Sequence, residues 1–192
     1  MILLLFLGVC IMAMGVRSLN PLLARRSVAK VSPAAVNPVI VNRALEAATQ
    51  APNHFLTAPW RFYTLGPNAV QTVLSIVPNE KVKLFEKIPN WLVVTMSSEH
   101  EFTSKLWLED HAATACATNN FMMSLAADGV GSKWMTGALG VGPDDMLKAV
   151  GASPSEHFMG AIWYGQPDKE LSESAKVPKR KLSLDECRTD LP

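Results

Sequence analysis

Apolar residues recur at helical spacing between residues 37 and 50. Asn37 is suited to cap a helix, Pro38 suits its first position, and an apolar stripe follows at Ile40, Ala44, Leu45 and Ala48. This pattern predicts a helix from Pro38 to about Gln50. The next four residues, 51–54, include a proline and end it.

Three short runs have the composition of strands. Residues Trp60 to Leu65 are aromatic and β-prone, and Trp91 to Met96 form a continuous apolar run of strand length, which indicates burial on both faces of a sheet. Residues Phe158 to Tyr164 form the last predicted strand. Between the first two strands, Pro67 opens a predicted helix that runs to Ile76.

The longest predicted helix runs from about Thr103 to Asp128, and Gly129 follows where a left-handed residue ends a helix. Between Ala112 and Ala127, eleven of sixteen residues are Ala, Cys, Phe, Met or Leu. A helix that is apolar on all sides is buried, either inside its domain or in a subunit interface.

Two glycine-flanked pieces follow the long helix: residues 129–137, and a short predicted helix opened by Pro143 that ends near Gly151. Helices and strands do not alternate strictly enough for a doubly wound sheet. The order therefore predicts an α+β domain over residues 17–192, with no internal boundary.

The first sixteen residues differ from the rest of the 192-residue chain because they carry no charge and are apolar except at Gly8 and Gly15. Such a leader is short for a membrane-spanning helix, and its length suits a signal-peptide core. Secretion or organelle targeting, an uncleaved anchor, and a true start at Met12 or Met14 all stay open. A cytoplasmic location is the alternative, and membrane contact is expected only through a retained leader.

The net charge of +1 conceals two basic clusters. The first cluster precedes any acidic residue and consists of Arg17, Arg25, Arg26, Lys30 and Arg43. The second lies in the tail and consists of Lys176, Lys179, Arg180 and Lys181. They are either solvated ends of the chain or two parts of one anion site. The chain shows no nucleic-acid signature, so we expect no nucleic-acid partner.

The spacing of chemical groups matches no standard catalytic or metal motif. The three cysteines are far apart, no C-x-x-C or H-E-x-x-H occurs, and we expect no metal. The basic ends and the apolar middle suit a large planar anionic cofactor.

Five stretches, taken in their order and spacing, resemble the FMN-dependent nitroreductase family in its small single-domain form. The resemblance covers the chain from about Ser18 to its end. The stretches are Arg25-Arg26-Ser27, Ala51-Pro52-Asn53-His54, Pro59-Trp60-Arg61-Phe62, Gly129-Val130-Gly131-Ser132-Lys133-Trp134 and Lys179-Arg180-Lys181-Leu182.

The resemblance implies a mixed or antiparallel central sheet flanked by helices, and a homodimer with FMN at the subunit interface. It assigns the FMN phosphate and ribityl chain to the front basic segment and the tail lysines, and the flavin ring to residues after the first helix and near Trp134. The residues implied are Arg25, Arg26, Ser27, Lys179 and Lys181 for the first group, and Gln50, Asn53, His54, Trp134, Met135 and Thr136 for the second.

Three positions depart from the family pattern. Ala29 stands where many relatives have Lys or Arg, with Lys30 as a substitute; Ala58 replaces a glutamine; and Met135 replaces a basic residue.

The resemblance implies an oxidoreductase that passes reducing equivalents from NADH or NADPH, by a two-step flavin mechanism, to a small acceptor such as a nitroaromatic or a quinone. Because FMN carries this chemistry, no side chain is expected to be catalytic. A flavin enzyme of the same superfamily with another reaction, and a non-catalytic flavin-binding protein, remain alternatives.

Overall fold

Four antiparallel strands form the centre of the fold, in the order β1-β2-β4-β3. The computed structural model describes residues 22, 25–168 and 181–191, so the predicted leader and Lys179 lie outside the described residues. The strands are β1 (Trp60–Leu65), β2 (Asn90–Ser97), β3 (Gly131–Met135) and β4 (Glu156–Gly165). The predicted α+β class and the three predicted strands are confirmed, whereas β3 was not predicted as a strand.

Helices cover both faces of the sheet. They are α1 (Pro38–Thr49), α2 (Pro67–Ile76), α3 (Asn79–Phe85), α4 (Lys105–Ala127), α5 (Pro143–Val150) and α6 (Leu184–Cys187). Helix α4 begins two residues after the predicted start of about Thr103, because Thr103 has a left-handed φ of 65° and the Ser104 hydroxyl accepts a hydrogen bond from the Trp107 amide. Helix α3 was not predicted.

The alternation of side chains along β2 divides the core into two layers. Leu92, Val94 and Met96 pack with residues of α1 and α4, whereas Trp91 and Val93 pack with residues of α2, α3 and α5. All five are at most 1% exposed. Burial of β2 on both faces, predicted from its continuous apolar sequence, is confirmed.

Helix α4 packs most extensively against α1 and is buried along one side only. Phe121 and Leu125 are fully buried on that side, whereas Ala112 and Cys116 are exposed on the other. The domain core therefore covers half of this apolar helix. Its other side is exposed in the single chain, so burial of that side in a subunit interface stays a prediction. Among the described residues, no helix is long and apolar enough to cross a membrane.

A β-bulge interrupts the pairing of β4 with β2. Val94 pairs with Gly160 and Thr95 pairs with Phe158, so that Met159 is the extra residue. The carbonyl of Met159 accepts a hydrogen bond of 3.0 Å from the Trp134 indole nitrogen on β3. Gly160 has a φ of 148°, and a Cβ atom there would lie 2.0 Å from that nitrogen. The bulge and the glycine thus provide the space in which Trp134 sits.

We expect Gly160→Ala to lower the free energy of unfolding by about 2–3 kcal/mol, because the added methyl group collides with the Trp134 indole. Urea denaturation measures the change. Gly137→Ala is the matched control, since a Cβ atom there meets nothing within 4 Å. Equal stability of the two variants would contradict this account of the bulge.

Tyr164 predicts a pH dependence of stability. Burial raises the pKa of its phenol to about 12, and its ring packs edge-on against Phe121 with centroids 5.6 Å apart. The folded pKa lies above the unfolded value of about 10. The stabilising contribution is therefore fully present below pH 10, and it is lost as the pH rises towards 12.

Tyrosinate absorbance and urea denaturation between about pH 9 and pH 12 test this linkage. We expect Tyr164→Phe to remove the late-titrating phenol and to flatten the fall in stability. The sequence has two tyrosines, and burial is also the main cause of the raised pKa of Tyr63, so Tyr63→Phe isolates the Tyr164 signal. A Tyr164 phenol that ionises near pH 10 in the folded protein would contradict the prediction.

Candidate functional site

A cavity of about 300 Å³ lies beside β3 and is lined by Arg25, Ser27, Met122, Trp134 and Thr136. Four of these five residues were implied by the sequence resemblance, although they come from positions about 110 residues apart. Met122 was missed by the sequence reading. Met122 lies on the buried side of α4, but burial alone does not distinguish a residue that packs in the core from one that lines a cavity.

The segment of residues 25–31, here called the arm, reaches the cavity along the outer edge of the sheet. The Val28 amide donates a hydrogen bond of 3.0 Å to the Ser132 carbonyl, and Ser27 forms a parallel bridge with Ser132. Further along, the Ser32 amide donates to the Gln166 carbonyl at 2.8 Å. These backbone contacts bring Arg25 and Ser27 to the side of Trp134.

Cationic and hydroxyl groups meet apolar walls in this cavity. Arg25 is half-buried and Ser27 is exposed, while Met122 and Trp134 provide apolar surface. Ser132 lies on the same face of β3 as Trp134, and its buried hydroxyl has no hydrogen-bond partner in the described part of the chain. Such a site suits an amphipathic ligand with an anionic end, because a guanidinium group binds anionic oxygens in pairs.

Gln50 does not reach this cavity within one chain. It lines a second cavity of about 510 Å³, together with Leu22, Ala47, Asn119, Asn120, Met123 and Ser124. Met122 and Met123 are neighbours on α4, so the two cavities lie on adjacent sides of that helix. The structure therefore places the predicted residues in two groups.

Asn53 and His54 belong to a tight turn after α1 and do not line the cavity of Arg25. The Asn53 side chain accepts a hydrogen bond of 3.0 Å from the Ala58 amide, and His54 contacts the Glu109 carboxylate. Phe55 follows with a left-handed φ of 51°, and the next residue, Leu56, has a φ of 56°. Both of these large apolar side chains are more than 80% exposed.

Asp110 anchors this turn to α4, a role that was not predicted from the sequence. Its carboxylate is 4% exposed and accepts hydrogen bonds from the Thr57 hydroxyl at 2.8 Å and the Ser98 hydroxyl at 2.7 Å. Glu109 and His111 flank it in the sequence and its two partners lie 53 and 12 residues away, so the sequence carried no signal that singled out this carboxylate.

The remaining predicted residues do not line the first cavity. Arg26 is half-buried beside it, and Lys181 is exposed in the described tail. The Met135 side chain is 3% exposed and packs in the core layer with Trp91 and Trp163, on the face of β3 opposite to Trp134. Across the described ranges, no group of three or more His, Cys, Asp or Glu residues is placed to hold a metal ion.

Comparison with known proteins gives a consistent result. The model of the nitroreductase family matches residues 22–84. The Bacillus subtilis protein named "Putative NAD(P)H nitroreductase YfhC" is 25% identical over 173 residues, which cover 82% of this chain and 88% of that protein.

Two solved structures share the fold. A nitroreductase-like family protein from Bacillus cereus is 25% identical, with a TM-score of 0.74, and the match covers 91% of this chain and 95% of that one. The FMN and NADPH-dependent nitroreductase NfnB from a Sphigopyxis species has the same TM-score at 14% identity, covering 91% and 99%. The family model, the curated relative and the shared fold all point to the same family, and the chain is similar to nitroreductases in sequence and in fold.

Proposed function

We propose that this protein is an FMN-dependent oxidoreductase that passes reducing equivalents from NADH or NADPH to a small acceptor such as a nitroaromatic or a quinone. The observation that carries the proposal is the cavity in which Arg25, Ser27, Trp134 and Thr136 come together. The names of the relatives, which include an NAD(P)H nitroreductase and an FMN-dependent one, support the same chemistry.

The residues of the cavity fit FMN at both of its ends. The Arg25 guanidinium and the Ser27 hydroxyl would bind the phosphate oxygens, and the buried Ser132 hydroxyl is an additional donor without a partner among the described residues. Arg26, Lys179 and Lys181 would add positive charge around the phosphate. Met122 and Trp134 would face apolar parts of the cofactor, and Thr136 lies at the end of β3 beside them.

FMN, when bound, would supply hydride chemistry in two steps, from NAD(P)H and then to the acceptor. The protein's part is to bind and to orient. Arg25 and Ser27 fix the charged end, and the Trp134 indole, held by its hydrogen bond to the Met159 carbonyl, fixes the wall of the cavity. We assign no covalent role and no general acid or base to any side chain.

Because Gln50, Asn53 and His54 do not line the cavity of Arg25 within one chain, we infer a homodimer in which each site draws on both chains. The exposed side of α4, with Ala112 and Cys116, and the exposed Phe55 and Leu56 provide apolar surface for that contact. In such a dimer, the turn of one protomer would complete the cavity of its partner.

We expect the purified protein to bind FMN with a visible flavin spectrum and to oxidise NADH or NADPH in the presence of a quinone. Arg25→Ala should weaken FMN binding about 10- to 100-fold, because it removes a charge-assisted contact to phosphate. Titration with FMN, followed by fluorescence quenching, measures the dissociation constant.

Lys105→Ala is the control for the loss of one positive charge, since Lys105 is exposed on α4 and pairs with Glu109 at 3.8 Å. It should leave FMN affinity unchanged. A wild-type protein that takes up no FMN would overturn the proposed function, and equal effects of the two variants would reduce the role of Arg25 to surface charge. FMN binding without NAD(P)H oxidation would favour a non-catalytic flavin protein.

Complementation between variants tests the shared site. Arg25→Ala and the double variant Gln50→Ala/His54→Ala should each be impaired as homodimers. When the two chains are co-expressed, half of the dimers are mixed and each mixed dimer has one intact site, so about one quarter of the sites should regain wild-type FMN affinity. Sites built within one chain would show no recovery.

A further inference from the structure

The indole of Trp163 contacts the arm from the face of the sheet opposite to the cavity. Its nitrogen donates a hydrogen bond of 2.8 Å to the carbonyl of Val28, the residue that directly follows Ser27. The same residue donates its own amide to the Ser132 carbonyl at 3.0 Å. The peptide groups on both sides of Val28 are therefore fixed by partners on two different strands.

The side chain of Val28 is confined as well. A Cβ atom at Gly131 would lie 2.7 Å from a methyl carbon of Val28, so the absence of a side chain at Gly131 lets the arm approach the sheet this closely. Val28 is thus held at its amide, its carbonyl and its side chain. Because Ser27 directly precedes Val28 and Arg25 lies two residues before Ser27, the position of Val28 sets where both side chains enter the cavity.

Trp163 is itself held rigidly. It is 4% exposed, and its ring packs at 5.5 Å from Phe85 and 5.9 Å from Trp91, measured between centroids. The Lys133 ammonium group lies 4.9 Å above the ring. A donor fixed in a close-packed core can impose a position on a segment that carries little regular pairing of its own.

We propose that Trp163 is a positioning residue for the anion-binding arm: its indole N–H, through Val28, holds Arg25 and Ser27 in register with the cofactor phosphate. This inference rests on the proposed binding of FMN. Through Trp163 and Val28, the core layer on the face opposite the cavity affects the affinity for the phosphate end of the ligand.

The test compares Trp163→Phe with Trp91→Phe. Trp91 is the matched control, because it lies in the same core layer and its indole donates a hydrogen bond of 2.9 Å to the Ile88 carbonyl, away from the arm. Both variants lose one indole donor and the same ring volume. We expect similar losses of thermal stability, but a five- to tenfold weaker FMN affinity only in Trp163→Phe.

Riboflavin, which lacks the phosphate, separates positioning of the arm from general loosening. Its affinity should change less than twofold in Trp163→Phe. Gly131→Ala, which displaces Val28 without altering Trp163, should reproduce the FMN-selective loss and keeps the test decisive if Trp163→Phe does not fold.

Equal losses of FMN affinity in Trp163→Phe and Trp91→Phe, equal losses for FMN and riboflavin, or wild-type FMN binding by Gly131→Ala would each overturn the positioning role. Absence of FMN binding by the wild-type protein would instead overturn the proposed function on which it rests.

Discussion

The pairing of β4 with its two neighbouring strands is the interaction on which the cavity depends. Where β4 meets β2, the bulge at Met159 frees a carbonyl for Trp134. Where β4 runs beside β3, Trp163 reaches the carbonyl of Val28. One strand therefore fixes the apolar wall of the cavity and the segment that carries its cation. A shift of β4 by one residue would exchange its two faces and displace both groups at once.

The two core layers contribute to the site in different ways. The layer with α1 and α4 supplies surface, since Met122 and Trp134 line the cavity directly. The layer with α2, α3 and α5 lies on the other side of the sheet, yet it contains Trp163 and so reaches the arm through a hydrogen bond. Burial of the second layer is consequently coupled to the placement of Arg25, although no side chain of α2, α3 or α5 lines the cavity.

The sequence was most informative where burial alone decides the structure. The run from Trp91 to Met96 predicted a strand buried on both faces, because an apolar segment of that length has few alternatives. Strand β3 has five residues and no clear alternation, and its pairing with β4 decides its conformation. The seven residues of α3 include three charged ones and give a weak periodic signal. The residues implied for the cavity came from resemblance, whereas Asp110 and Trp163 act through partners that only the fold brings near.

The turn after α1 has two features that the proposed dimer would account for. Left-handed backbone at Phe55 and Leu56 costs about 1 kcal/mol or more for each residue. The hydrogen bonds of Asp110 and Asn53 hold the turn in this conformation, and the result exposes two large apolar side chains to water. Burying both against a second copy would contribute about 3–6 kcal/mol before the cost of association. In the proposed dimer this burial would offset the cost of the strained turn, and the same turn would bring His54 towards the partner's cavity.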